Sequence, residues 1–439
     1  MMLFNKDNMT MILKDDIDKI LRNYNSRIYD NVRNNDLENI NLLIIESLKE
    51  LNDYYELNNK EDNLSVSKIK YLNNYTNQYF EDKINDYRLR IKHRENIKDK
   101  LLKLKELKLP EQRSEEWYAI REGILTASSL ADAIGEGHFC TRDKLLIQKC
   151  GGERGDVPFE IVEWGVMYEP VATTFYEKIN NLKVLEFGLV PHPSFKIFGA
   201  SPDGICDEDS PEEYVGRMLE IKCPPKRQFT NEVPKHYWMQ MQGQLESCDL
   251  EECDFLQVKF MEYFSENDYI EDLYLENSIV KEGYSSNNLP KGLLIAFIRN
   301  NLEGNPTIKY EYSEFYSSYN DLKNWSNKIL NNYKNSEFKY NNIKFHWWRI
   351  ERYECTLVGR DRKWWLETEP KIIDFWEDVE HYRKVGIQEF HNKKQESRIK
   401  KIKIKKDKEE KKSKKQIFDI DKSVVEKLKN DYMIDSDSD

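Results

Sequence analysis

The sequence predicts a mixed α/β protein: a helical N-terminal extension followed by a domain with a central mixed sheet flanked by helices. Three observations predict it. Apolar residues recur at steps of three or four from the start to about residue 110, the period of one helix face. From Arg113 onward, short β-rich runs alternate with helical ones between Gly and Pro breaks, as in a sheet with helices on its faces. The 439 residues suit two or three domains, at roughly 100–200 residues each.

The N-terminal stripes are Leu13, Ile17, Leu21, Tyr24 and Ile28, then Leu37, Ile40, Ile44, Leu48 and Leu51, then Phe80, Ile84, Tyr87 and Ile91, continued by Leu101 and Leu104. The polar stretch Asn58 to Asn63 separates helices, and Leu109-Pro110 marks a boundary, giving an extension over 1–110 that is separate from the rest of the chain. The second unit, 111–390, holds a motif core over 113–261. Ser114-Glu115-Glu116 before Trp117 is a helix-start signal. Thr126 to Ile134 reads as a short helix closed by Gly135, and Glu160 to Ile179 as a longer one. Strands are expected at Lys183–Val190, Phe195–Ala200, Arg217–Cys223 and Asp254–Met261, with a helix from Pro234 to Ser247. Further on, Leu293–Arg299, Ile308–Tyr312 and Ile343–Leu357 read as strands and Ser313–Tyr333 as a helix. Another helix from about Thr368 aligns Ile372, Trp376 and Val379 on one face. Residues 391–439, lysine-rich and ending Asp-Ser-Asp-Ser-Asp, read as a basic, disordered tail.

Composition narrows the class. The longest clean apolar run, Gly292 to Ile298, falls far short of the ~20 residues of a membrane span. Asn5, Lys6 and Asp7 interrupt the opening too early for a secretory signal. Seven cysteines with no Cys-x-x-Cys pair argue against a disulfide framework or zinc knuckle. A soluble, intracellular protein with reduced thiols is expected. The net charge of −11 is unevenly spread: Lys393 to Lys415 carries 13 Lys/Arg against four acids. An acidic body with a basic tail can still meet a phosphate backbone. Phosphate clamp, basic localisation signal and plain solvated run all remain open for that tail. Trp347-Trp348 and Trp364-Trp365 read as half-buried packing rather than base-stacking platforms. His138, His192 and His236 are scattered without metal-ligand spacing.

The chemistry concentrates in two segments, Gly199-Ala-Ser-Pro-Asp203-Gly204 and Leu219-Glu220-Ile-Lys222-Cys-Pro224. In a strand, residues i and i+2 share a face, so Glu220 and Lys222 project together. A carboxylate that can hold a hard cation beside an ammonium that can stabilise developing charge suits metal-assisted hydrolysis. Ser-Pro-Asp-Gly is a turn sequence, and a turn there brings Asp203 beside Glu220. Two carboxylates at one point repel unless a cation lies between them.

Pro202-Asp203 … Glu220-x-Lys222 is the PD-(D/E)xK nuclease signature, and the stretch from Arg113 to about Met261 resembles the lambda exonuclease / YqaJ viral recombinase family within that superfamily. Arg121 … Thr126-Ala-Ser128 is similar to the family's early Arg … Thr-Ala-Ser element. Gly165-Val-Met-Tyr168-Glu169 is similar to its Gly-x-x-Tyr-Glu helix, and Tyr237-Trp-Met-Gln240-Met-Gln242 to its Tyr-x-x-Gln-x-Gln helix.

The resemblance implies a Mg²⁺ site, with Mn²⁺ able to substitute, made by Asp203, Glu220 and the Ile221 carbonyl, with Glu169 holding a second ion or its water. It implies Lys222 as activator of the attacking water, Gln240 as a contact to that water or the phosphate, and Arg121, Ser128 and Ser201 as a 5′-phosphate pocket. Tyr168 is expected to pack rather than react, and Gln244 competes with Gln240 and Gln242 for the site contact. The activity implied is 5′→3′ exonuclease action on linear double-stranded DNA, with a single-strand annealing protein as a further partner. Endonuclease cleavage on the same fold and a catalytically silent DNA-end scaffold are the alternatives. About 110 residues precede the motif core and about 180 come after Met261. The compact, ring-shaped trimer of the family lacks such extensions, so the oligomeric state stays open.

Overall fold

The computed structural model describes residues 16–59, 66–138, 140–152, 159–226, 229, 232–301, 305–334, 340 and 342–433. Leu13 and part of the expected break near Asn63 lie outside them. The helices are α1 (Asn25–Arg33), α2 (Leu37–Asn59), α3 (Val66–Glu106), α4 (Glu115–Gly123), α5 (Leu130–Ala133), α6 (Arg142–Lys149), α7 (Phe159–Asn180), α8 (Lys235–Cys248), α9 (Glu266–Glu271), α10 (Tyr319–Lys334), α11 (Arg362–Val385) and α12 (Ile387–Met433). The strands are β1 (Leu125–Thr126), β2 (Val184–Leu185), β3 (Val190–Pro191), β4 (Phe198–Ala200), β5 (Gly204–Cys206), β6 (Met218–Lys222), β7 (Glu252–Glu262), β8 (Leu275–Glu276), β9 (Ile279–Val280), β10 (Lys291–Arg299), β11 (Thr307–Tyr312) and β12 (Asn342–Gly359).

Seven strands form the main sheet in the order β11-β10-β12-β7-β6-β5-β2. Only β6 and β7 run parallel; the other neighbours are antiparallel. Alternation along β6 sorts its side chains. Leu219 and Ile221 join Tyr168, Val171 and Phe175 of α7 on one face. Met218 packs with Met241 and Leu245 of α8 on the other. Glu220 and Lys222 share Met218's face and therefore look toward α8. A smaller sheet, β1-β4-β3, packs with α5, α6 and α11. The fold is a mixed α+β architecture with a central mixed sheet flanked by helices.

The N-terminal stripes do close a helical core, with Ile17, Leu21, Ile28, Leu51 and Phe80 fully buried, while Leu37 stays exposed. Separation at Leu109-Pro110 does not hold. No Gly or Pro interrupts α3, so it runs through 41 residues, and Leu101 and Leu104 pack with Met218, Leu250 and Phe255 of the sheet domain. Lys100 reinforces this contact through Asp249 at 3.0 Å and Glu251 at 3.4 Å. A stripe announces burial, but it does not name the partner.

Other differences have local causes. Thr126 pairs with Gly199 as a strand, so the expected Thr126–Ile134 helix starts after it. Helix α10 begins only at Tyr319, where Ser318 Oγ accepts the Asp321 amide at 3.2 Å. Helix α11 begins at Arg362, because the Asp361 side chain accepts the Trp364 amide at 2.9 Å. The tail expected to be disordered is helical as far as Met433, in α12, and its closing Asp-Ser-Asp-Ser-Asp lies outside the described residues. Lys, Glu, Gln and Arg are good helix formers, and Glu389 pairs with Lys393 one turn on at 2.6 Å. Past Phe390, the side chains through Lys412 are exposed.

All seven cysteines are free thiols. No helix among the described residues is long and apolar enough to cross a membrane.

One polar knot has a measurable signature. Asp272 accepts hydrogen bonds from Tyr263 Oη at 2.6 Å, Ser286 N at 2.7 Å and Arg349 Nη1 at 2.9 Å. Burial alone would raise its pKa, but these donors outweigh it and hold the carboxylate at about 2. The unfolded value is about 3.9, so the stabilisation is present above it and is lost as pH falls toward 2. Asp272→Asn is expected to cost about 1 kcal/mol at neutral pH, allowing for solvent screening. Urea titrations of the two proteins should converge in strong acid.

Candidate active site

The site grows from β6 and the turn that precedes β5. Gly204 pairs with Leu219 across the antiparallel β5–β6 ladder. This puts Asp203 at the strand end, where its Oδ2 accepts the Ile221 amide at 2.6 Å. Glu220 is fully buried. Its Oε1 accepts from Gln240 Nε2 at 2.6 Å and from Lys222 Nζ, and its Oε2 accepts from Gln244 Nε2 at 2.7 Å. Gln240 and Gln244 are one helical turn apart on α8 and face the same way.

Gln242 points elsewhere, donating to Gly359 O at 2.9 Å and accepting from Asp361 N at 2.6 Å. The Tyr-x-x-Gln-x-Gln string therefore contributes one site residue and one structural clasp. Gln244 completes the site, and its i, i+4 spacing from Gln240 was the available signal. Tyr168 packs, stacking on Phe260 with centroids 4.4 Å apart and donating to Glu262 at 2.8 Å.

Glu169 enters from α7 and meets Arg113 Nη2, which lies 3.3 Å from both of its oxygens. Electrostatics ties these groups into one cluster. Burial pushes the Asp203 carboxyl well above the usual carboxylate range, and Glu220 and Glu169 push it further, against Lys222 and the Ile221 amide. Burial also raises Glu169, opposed by Arg113 and Lys222. Burial alone would lower Lys222, but Glu220 and Asp203 hold the ammonium above its ordinary value.

Asp203, Glu220 and Glu169 repel one another electrostatically, and Lys222 and Arg113 offset only part of their charge, an excess that a divalent cation could take up. The donors are all oxygen, which suits Mg²⁺ or Mn²⁺. Among the described residues no three acidic, His or Cys side chains form a ligand set. Glu220's oxygens are instead engaged by the ammonium and the two amides.

Arg121, Ser128 and Ser201 meet through a residue the motifs did not single out. Arg121 Nη2 donates to Ser128 Oγ at 3.3 Å, and Ser128 Oγ lies 3.2 Å from Thr126 Oγ1. Trp117 Nε1 donates to Ser201 Oγ at 3.1 Å, while the Arg121 guanidinium lies 4.3 Å from the centre of the Trp117 ring. Trp117 is one turn before Arg121 on α4, a pairing the helical period allows. Gln244 Nε2 also approaches Ser201 O at 3.4 Å, linking these side chains to Glu220.

Two histidines read as scattered are brought together: His138 stacks on His236 with centroids 5.1 Å apart. The fold brings the segment at His138 to the first turn of α8. His192 stacks on Trp365 at 5.6 Å. Trp347, Trp348 and Trp365 are buried, and Trp364 packs edge-on against Trp238.

Residues 116–251 match the model of the YqaJ-like viral recombinase domain, the family that the motifs resemble. The chain is 31% identical over 294 residues to an uncharacterized protein of Acanthamoeba polyphaga mimivirus, covering 62% of this chain and 53% of that one. It is 25% identical over 158 residues to a protein of African swine fever virus, covering 31% and 46% respectively. The chain thus spans about half the length of the viral relatives it matches. Among solved structures, an alkaline exonuclease from Laribacter hongkongensis aligns with a TM-score of 0.35 at 19% identity, covering 64% of this chain and 99% of that one. A phage-related exonuclease from Haemophilus somnus aligns at 0.31 and 12% identity, with 61% and 96% covered.

Proposed function

We propose that the chain is a Mg²⁺-dependent DNA nuclease, a 5′→3′ exonuclease that resects linear duplex DNA and leaves a 3′ single-stranded overhang. The carrying observation is the union of Glu220 and Lys222 on one face of β6 with Asp203 bonded to the same strand's backbone. The YqaJ-like viral recombinase domain over 116–251 supports the reading, as does the viral origin of the relatives. The catalytic unit takes in 111–390 and works inside the infected cell, where a single-strand annealing protein would receive the overhang.

Asp203, Glu220 and the Ile221 carbonyl would hold one ion, and Glu169 a second ion or its water. Bound Mg²⁺ neutralises the phosphodiester and lowers the pKa of the attacking water. Lys222 orients that water and stabilises the charge developing on the phosphorus oxygens. Gln240 and Gln244 fix the Glu220 carboxylate. Arg121 and the Ser128 and Ser201 hydroxyls grip the terminal 5′-phosphate, whose two negative charges suit a guanidinium with hydroxyl donors.

With Mg²⁺, the purified chain is expected to degrade 5′-phosphorylated linear duplex faster than 5′-hydroxyl linear duplex and to leave closed circles intact. Lys222→Ala should reduce hydrolysis by about a thousandfold or more while DNA binding persists. Linearised circles would transfer the reading to an endonuclease. Binding by the wild type without hydrolysis of any substrate would make it a scaffold.

A further inference from the structure

Beside the carboxylates, a cleft of about 600 Å³ runs along the link from α3 to α4, lined by the acids Asp203, Glu169, Glu186 and Glu111 and by the cations Lys105 and Arg113. The link is fastened to the sheet domain. Gln112 Nε2 donates to Phe187 O at 2.8 Å and Pro202 O at 3.3 Å, the latter next to Asp203. Gly188 makes room for Pro110, since a side chain there would strike the Pro110 carbonyl.

Residues Glu111 to Ser114 form a turn closed by Ser114 N donating to Glu111 O at 3.1 Å. Arg113 occupies its third position with φ +70°, a place that ordinarily takes glycine. Eight non-glycine residues among those described have positive φ, and five of them are Asn or Asp, which tolerate it. Arginine has no such excuse. A strained residue at the mouth of a site points to a role for its side chain, and here the guanidinium reaches both oxygens of Glu169.

We propose that Arg113 is a substrate-binding residue: its guanidinium exchanges Glu169 for a phosphate of the DNA strand lying in this cleft. The proposal rests on the nuclease reading above and adds a second phosphate contact, apart from the Arg121 pocket. Charge drives the exchange. An ion held by the carboxylates would compete with the guanidinium for Glu169, while a strand phosphate would offer two non-bridging oxygens as a bidentate acceptor. The side chain is 44% exposed, so a strand in the cleft can reach it.

The test uses the full chain with Ca²⁺, which takes oxygen ligands as Mg²⁺ does, and a fluorescently labelled, 5′-phosphorylated linear duplex. Anisotropy gives the Kd as salt is raised. Arg113→Gln is expected to weaken binding about tenfold at low salt and to reduce the slope of log Kd against log salt by about one. Arg113→Lys should keep most of the slope. Arg113→Gly removes the side chain and relieves the backbone, so it should lose binding as Arg113→Gln does without lowering Tm. Unchanged affinity and slope in both Arg113→Gln and Arg113→Gly would overturn the proposal. A wild type that binds the duplex with Ca²⁺ but never cleaves it with Mg²⁺ would overturn the nuclease reading alone, and one that binds no duplex would overturn both.

Discussion

Asp203→Asn is expected to abolish DNA hydrolysis and, in metal-free buffer, to raise Tm. The two signs come from one cause. Asp203 is pushed above the normal carboxylate range by burial and by Glu220 and Glu169, so its charged form is disfavoured in the folded state. The folded protein then binds more protons than the unfolded chain, and stability falls as pH rises from about 4 toward the shifted value. The asparagine carbonyl still accepts the Ile221 amide that Asp203 Oδ2 accepts at 2.6 Å, but it adds no charge. A gain in stability is expected at neutral pH, growing from acid upward. Activity should fall by about a thousandfold or more, since on the proposed reading the variant loses an anionic oxygen that would hold the cation. Mg²⁺ should raise the wild-type Tm and leave that of Asp203→Asn nearly unmoved. Thermal unfolding at several pH values, with and without Mg²⁺, reads both effects. A lower Tm for the metal-free variant would mean that the three carboxylates do not confront one another.

How much the sequence disclosed depends on the range of each physical signal. The period of two along Met218–Lys222 predicts the shared face of Glu220 and Lys222, because strand geometry is local. The Ser-Pro-Asp-Gly turn predicts Asp203 at a strand end for the same reason. Trp117 was harder to see, and Gln244 stood only as one of three candidate glutamines. Each is one helical turn from a motif residue, yet a helix has several faces and only the packing of α4 and α8 shows which one meets the site. Helix α3 carries the same lesson further. Its stripe at Leu101 and Leu104 is plain, but burial against the sheet domain rather than the N-terminal helices depends on contacts with residues more than a hundred positions away. Arg113 was silent because a positive φ leaves no trace in an arginine's identity. The tail misled in the opposite direction: its charge suggested disorder, while its helix-forming residues support α12.

Arg360→Ala is expected to destabilise the fold by about 3–5 kcal/mol, the range for stranding one partner of a buried ion pair. Arg360 comes directly after β12, and its side chain is 8% exposed. Its Nε and Nη2 donate to the two oxygens of Glu246 at 2.8 and 2.6 Å, and Nη1 donates to Asp249 at 2.7 Å. Glu246 is as buried as its partner, so truncation leaves a carboxylate with neither water nor counter-charge. The damage lands at the end of α8, where Asp249 closes the helix in the left-handed conformation and the chain turns into β7. Arg360→Lys should recover only part of the loss, because an ammonium cannot make the two parallel bonds to Glu246. Replacing both partners, as Arg360→Met with Glu246→Met, should be milder than Arg360→Ala, since no charge is then stranded. Urea unfolding of the three variants measures this. Gln240 and Gln244 sit on the same helix and hold Glu220, so the ion pair steadies the active site from its far end. Below its unfolding transition, the Arg360→Ala protein should keep the site and hydrolyse DNA at close to the wild-type rate, losing activity only as α8 comes loose. A rate already lost in fully folded Arg360→Ala would instead give Arg360 a direct part in the chemistry.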